Sequence, residues 1–277
     1  GTADAVRQSL KHIRKEDFEY VLILSGDQLY QMDFTLMLEN HKNAGADISI
    51  ATIPVAMHEA TEFGILKSDE NNLITSFIEK PSLNLLPNWV SETTAEMKEQ
   101  GRVYLASMGI YVFNKKALFD LLESDRAEAT DFGKEIIPYS LQNYKVVSYQ
   151  YEGYWTDIGN ISSFFEANLA LTLDLPPFNL FDNNKMVFSR ARMLPPAKFI
   201  GTQIIHSIIA EGSILHAAEI SNSVIGIRSR VGKGSKIISC YIMGNDFYET
   251  TDDIENNNSI NFPKLGIGDY CILKNVI

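Results

Sequence analysis

The stretch IGIRSRVGKGSKI, residues 225–237, places Ile225, Val231 and Ile237 at every sixth position. Glycine follows the first two, and small or charged residues fill the gaps. A helix repeats near every 3.6 residues and a half-buried strand every second residue, so neither period fits. A six-residue period with a small residue beside the apolar one is the pattern of a left-handed parallel β-helix. Each unit then forms one side of a triangular coil and buries one apolar residue. The alternative is a β-sandwich with chance spacing. The period runs back through Ile208, Ile214 and Ile220 in a shifted frame, and forward into IGDYCI, residues 267–272. The β-helix is placed at residues 199–277, incomplete because GIGDYCILKNVI stops in mid-pattern. Residues 245–264, NDFYETTDDIENNNSINFPK, break the period and are expected to loop out of the coil.

Residues 177–198 carry LPPAK and read as a linker. Residues 1–176, a separate domain, alternate strands and helices. TADAVRQSLKHIRK spaces Ala3, Val6, Leu10 and Ile13 as one face of a helix, with Thr2 as N-cap. Strands follow at 21–24 and 46–55, with a helix at 32–44 between them that ends near Gly45. Residues 63–81 read as a hairpin turning at Asp69–Asn72 and stopped by Pro81, and 92–100 as helical. YLASMGIYVFN is a strand with a glycine inside, KALFDLLES a helix, KVVSYQYEGYW a strand, and ISSFFEANLALTLDL a helix stopped by Pro176–Pro177. This alternation predicts an α/β fold with a mostly parallel sheet, whose ligands bind beyond the carboxyl ends of the strands.

The bulk numbers exclude several classes. A net charge of −11 argues against nucleic acid as the main partner. It leaves phosphorylated substrates open, because local cations or a metal reverse the field in a cleft. Two distant cysteines, Cys240 and Cys271, make neither a disulfide framework nor a zinc pattern and suit a reducing cytoplasm. No apolar run approaches the roughly 18 residues of a membrane span. His12, His41, His58, His206 and His216 show no metal spacing and read as surface or packing residues.

Within the α/β part, YVLILSGDQLY ends an apolar strand on Asp27, with Gly26 allowing close backbone approach. A carboxylate there faces a ligand or caps a turn. GYWTDIG places Asp157 after a second strand. Two carboxylates at strand ends suit Mg²⁺, which takes oxygen ligands and leaves room for phosphates. FIEKP sets Glu79 and Lys80 side by side before Pro81; the lysine suits a phosphate, or the two are a solvated hairpin pair. Gly64 in FGILKSD is a hairpin glycine or a place for a sugar ring. Ser107 and Gly109 in ASMGIYVF are strand packing with a bulge. DFG at residues 131–133 stands without other kinase motifs and reads as a helix start capped by Asp131 or Thr130.

Taken in order, GTADAVRQ, LSGDQLYQMD, FGILKSDENN, FIEKP, LASMGIYVF, DFGKEIIP, GYWTDIG, FFEANLALT, LPPAKF and MGNDFYET resemble the ADP-glucose pyrophosphorylase family, nearest its cyanobacterial and plant type. The resemblance implies a Rossmann-like nucleotidyltransferase domain before the β-helix. It implies transfer of an adenylyl group from ATP to glucose 1-phosphate, the committed step of glycogen synthesis. By resemblance, Asp27 and Asp157 hold Mg²⁺ and Lys80 the sugar phosphate. Glu79 and Ser107 take the glucose hydroxyls, with Gly64 near them, and Tyr111 and Trp155 shape the sugar pocket. Gly1 and Thr2 line the base pocket. A homotetramer with sugar-phosphate or nucleotide effectors is also implied, with Lys198 near the interface. The family's Gly-rich triphosphate loop precedes GTADAV, so this polypeptide reads as a fragment and is expected to be inactive alone. The alternatives are a pyrophosphorylase using dTTP, UTP or GTP, a non-catalytic regulatory subunit, and a β-helix scaffold or acyltransferase.

Overall fold

The computed structural model describes residues 1–259 and 263–277. The chain forms two compact units, Gly1–Gly26 with Gln31–Trp155, and Asp27–Tyr30 with Thr156–Ile277. Along the chain run α1 (Thr2–Ile13), β1 (Tyr20–Ile23), β2 (Gln28–Tyr30), α2 (Phe34–Ala44), β3 (Ile48–Val55), β4 (Gly64–Ser68), β5 (Ile74–Glu79), α3 (Ala95–Glu99), β6 (Tyr104–Asn114), α4 (Lys115–Asp120), α5 (Ile137–Asn143), β7 (Val146–Gln150), β8 (Trp155–Asp157) and α6 (Ile161–Ala170). The predicted helix before Pro176 thus ends at Ala170, earlier than the prolines require.

The first unit has a mixed sheet in the order β5–β4–β6–β3–β7, with β1 on the other edge of β6. The α/β class holds, but the mostly parallel sheet does not: only β3 and β7 pair parallel, while β1–β6, β3–β6, β4–β5 and β4–β6 are antiparallel. The reason is the connections. β4 and β5 form a hairpin and β6 returns through the sheet's middle, so neither needs the long crossover that parallel pairing demands. Every residue of β3 is buried, as a strand covered on both faces should be. Ile48, Ile50, Leu66, Phe113, Leu118 and Ile136 form the heart of the core, and α1 adds Ala3 and Leu10. Thr2 is inside α1 rather than its cap; Gly1 takes the cap position without a side-chain bond. The helix expected from residue 32 starts at Phe34, because Asp33 caps α2, accepting from the Thr35 amide at 2.9 Å, and Gly45 closes it as expected with φ 54°. Buried His41 packs between Ser49 and Asn114, 2.7 and 3.1 Å from its ring nitrogens.

In the second unit, β9 (Lys198–Phe199), β10 (Gln203–Ile205), β11 (Ile208–Ile209), β12 (Ile214–Leu215), β13 (Glu219–Ser221), β14 (Val224–Ile225), β15 (Arg230–Val231), β16 (Lys236–Ile238), β17 (Tyr241–Ile242) and β18 (Ile272–Lys274) stack in three parallel ladders. Each ladder is one side of a parallel β-helix. Ile214 pairs with Lys198 and Arg230, so a coil closes in fewer residues than three complete hexads. Leu215, Ile220, Ile225, Val231 and Ile237 are fully buried. The frame through Ile208 and Ile214 is therefore one residue out, since Leu215 points inward and Ile214 is only partly buried. Lys236 pairs with Ile272, so the ladder continues beyond the break at 245–264. Within that break lies α7 (Thr251–Ser259), and residues 260–262 fall outside the described residues. Among the described residues no helix is long and apolar enough to cross a membrane.

Candidate active site

The structure brings Asp27 and Asp157 together. β2 pairs with β8, which sets the residue before β2 beside the end of β8. The Ile158 amide donates to the Asp27 carbonyl at 2.9 Å, and the Gly159 amide to Asp157 Oδ1 at 2.8 Å. A side chain at Gly159 would begin 3.0 Å from Asp157 Oδ1 and 3.3 Å from Asp27 Oδ2. Two carboxylate oxygens thus face one small space, and only glycine leaves it open. Asn160 then starts α6, accepting from the Ser163 amide at 2.9 Å. Hard oxygen donors with neighbouring space fit a divalent cation such as Mg²⁺ that shares its ligands with phosphates.

A second cluster lies within the first unit. Gly64 is buried opposite Glu79 across the β4–β5 hairpin. A Cβ there would lie 2.6 Å from Phe77 Cζ and 2.9 Å from Glu79 Oε2. Gly133 approaches the same carboxylate, its Cβ position 3.1 Å from Glu79 Oε2 and 3.5 Å from Asp131 Oδ1. Burial, with the nearby Asp131 charge, raises the Glu79 pKa, while Lys80 and Lys134 pull it back. Among the described residues no hydrogen bond is donated to the Glu79 carboxylate. A half-buried carboxylate in this state is an acceptor suited to ligand hydroxyls.

Gly64→Ala is expected to destabilise the protein by about 1–3 kcal/mol, the usual cost of overpacking, because Phe77 and Glu79 must both move. Denaturant melts of the variant check this.

β6 supplies the cluster's other wall. Ser107 Oγ accepts from the Gly109 amide at 3.3 Å, and burial pushes the Tyr111 phenol up to about 12, with the Ser107 side chain pulling it back. Gly109 between them has φ 67°, and the register with β3 shifts there, giving the predicted bulge. Lys80 ends the hairpin with φ 45°, its amide donating to the Phe63 carbonyl at 3.1 Å. The Phe63 ring meets the Trp155 ring edge-on, centroids 5.2 Å apart. Gly1 and Thr2 meet the DFG loop: the Ala3 amide donates to the Thr130 carbonyl at 3.0 Å, and Thr2 Oγ1 accepts from the Phe132 amide at 3.1 Å.

Asp131 caps the following turn as predicted, accepting from the Lys134 amide at 2.9 Å. Its place beside Glu79 was not readable. The only sequence hint was an acidic-glycine pair in a loop.

Raised Glu79 has a consequence for stability. Its carboxyl ionises less readily folded than unfolded, so its contribution is fully present below its ordinary pKa of 4.5 and is lost as pH rises through the raised folded value. Glu79→Gln is therefore expected to raise Tm most at neutral pH, with the gain shrinking on acidification below the ordinary carboxylate range. Paired thermal melts across that range check it; a gain that grew in acid would contradict the assignment.

Paired aspartates thus stand at one place, and a glycine-flanked carboxylate beside a lysine of positive φ at another. Residues 1–173 match the family of nucleotidyl transferases, and the chain belongs to that family. Residues 192–277 match the GLGC left-handed parallel beta-helix domain, which gives the β-helix its hand. The pairing of these two domains is that of a sugar-nucleotide pyrophosphorylase.

Proposed function

We propose that the protein is a glucose-1-phosphate adenylyltransferase, making ADP-glucose and pyrophosphate from ATP and glucose 1-phosphate in glycogen synthesis. The observation that carries this reading is the convergence of Asp27 and Asp157 on the space beside Gly159. Choice of glucose and adenine rests on the ordered motifs that resemble that family. A phosphate oxygen of the sugar phosphate attacks the α-phosphorus of ATP, the α–β bridging bond breaks, and pyrophosphate leaves. No protein nucleophile is required, so catalysis is positioning and charge neutralisation. Mg²⁺, when bound by Asp27 and Asp157, neutralises phosphate charge. Lys80 aligns the attacking phosphate. Glu79 and Ser107 accept or donate hydrogen bonds at the glucose hydroxyls, with Gly64 leaving room for the ring. Trp155 and Tyr111 wall the pocket, and Gly1 and Thr2 border the base. Cytoplasmic location, a homotetramer and control by sugar-phosphate or nucleotide effectors belong to the same proposal.

The test is pyrophosphate release by the full-length gene product with glucose 1-phosphate and each nucleoside triphosphate in turn. Release confined to ATP supports the reading. Preference for UTP, dTTP or GTP moves the protein to a sister pyrophosphorylase, and no release with any of them overturns catalysis altogether.

A further inference from the structure

We propose that Arg7 is a positioning residue for the proposed sugar pocket, its guanidinium fixing where the loop of Asp131 and Gly133 stands against Glu79. The inference rests on the reading of Glu79 as a sugar ligand, and all its residues lie in the first unit. Arg7 stands on α1 and pairs with Asp4, one turn earlier, at 3.3 Å, which aims the guanidinium. Its Nε donates to the Leu122 carbonyl at 2.8 Å, and its Nη2 to the carbonyls of Arg126, at 3.2 Å, and Ala129. One planar fork thus binds three carbonyls that lie 115 to 122 residues further along the chain. Lysine, a point charge on a flexible stem, does not reproduce that geometry.

The grip continues on both sides of Asp131. The Thr130 carbonyl accepts from the Ala3 and Asp4 amides at 3.0 and 3.3 Å, so α1 holds the two carbonyls that precede Asp131. Thr2 Oγ1 takes the Phe132 amide just after it. Glu135 Oε2 accepts from the Thr130 and Asp131 amides at 2.8 and 3.0 Å and ties the loop to the turn that follows. The loop so held delivers two things to the pocket. The Phe132 ring lies 5.4 Å from the ring of Tyr111, and a Cβ at Gly133 would lie 3.1 Å from Glu79 Oε2. Removing the guanidinium leaves the Leu122, Arg126 and Ala129 carbonyls without that donor. The loop then shifts to meet water or another partner, and the glycine that gives Glu79 its room shifts with it.

The full-length gene product carries the test. Arg7→Gln is expected to raise KM for glucose 1-phosphate about tenfold while kcat changes less than about twofold. Arg7→Lys, which keeps the charge beside Asp4 and loses the fork, should lie between. The Mg²⁺ concentration giving half-maximal rate should not move, since Asp27 and Asp157 belong to the other unit. In a Glu79→Gln background Arg7→Gln should add little to KM, because residues that act through one another are not additive. Thermal melts at neutral pH need no turnover. The Asp131 charge helps to raise the Glu79 pKa, so a displaced loop should shrink the Tm gain of Glu79→Gln in Arg7→Gln relative to the unmutated protein. Unchanged KM in Arg7→Gln, or full additivity with Glu79→Gln, would overturn the proposal. An undiminished Tm gain with turnover intact would overturn the positioning role alone. No turnover of glucose 1-phosphate by the unmutated protein with any nucleotide would overturn the pocket reading and this inference with it.

Discussion

Asp27→Asn is expected to lower the turnover of pyrophosphate release by roughly 10²–10³-fold, the loss typical when one preorganised electrostatic group is removed. Asparagine keeps the size of the side chain and removes one of the two charges facing the space beside Gly159. The backbone would not change, because the Asp27 contact to the Ile158 amide is made by its carbonyl. KM for glucose 1-phosphate should move little, since no sugar contact is lost. The concentration of Mg²⁺ giving half-maximal rate should rise, which separates metal binding from a general loss of fold. Full turnover in the variant would overturn the proposal that Asp27 holds the metal.

Lys80→Ala is expected to act on the other kinetic constant. A hydrogen bond to a charged group contributes about 1.5–3 kcal/mol, so KM for glucose 1-phosphate should rise by about ten- to a hundredfold while kcat changes far less. Alanine is the right replacement. Position 80 has φ 45°, and alanine meets nearly the same backbone strain as lysine, whereas glycine would relieve it. The amide bond to the Phe63 carbonyl survives. A variant that loses kcat at unchanged KM would place Lys80 at the transition state and not in ground-state binding.

The β-helix was legible because one buried residue per side writes its period directly into the chain. Its frame was less so where two apolar residues stand together. Ile208–Ile209 and Ile214–Leu215 offer two inward choices, and the packing of neighbouring coils takes the second at Leu215. Helix ends were readable where caps are local, as at Gly45 and Asp131. Strand direction was not, because pairing β6 against β1, β3 and β4 depends on contacts remote in sequence. The same holds for the site. Asp27 and Asp157 were each visible as carboxylates near strand ends, but only the β2–β8 pairing makes them neighbours. Asp131 carried its capping role openly and its approach to Glu79 not at all.

The ladder register also bears on how the chain reaches its fold. In the β-helix unit, Lys198, Ile214 and Arg230 meet one coil apart, so each pairing closes a short loop. In the sheet of the first unit, Ile48 meets Val146 and Tyr20 meets Asn114, pairs separated by about a hundred residues. Loop-closure entropy makes such distant pairings slow, whereas neighbouring coils can add one at a time. The C-terminal ladders should therefore gain protection from hydrogen exchange first, and the sheet that carries Lys80 and Glu79 should be the rate-limiting part of refolding.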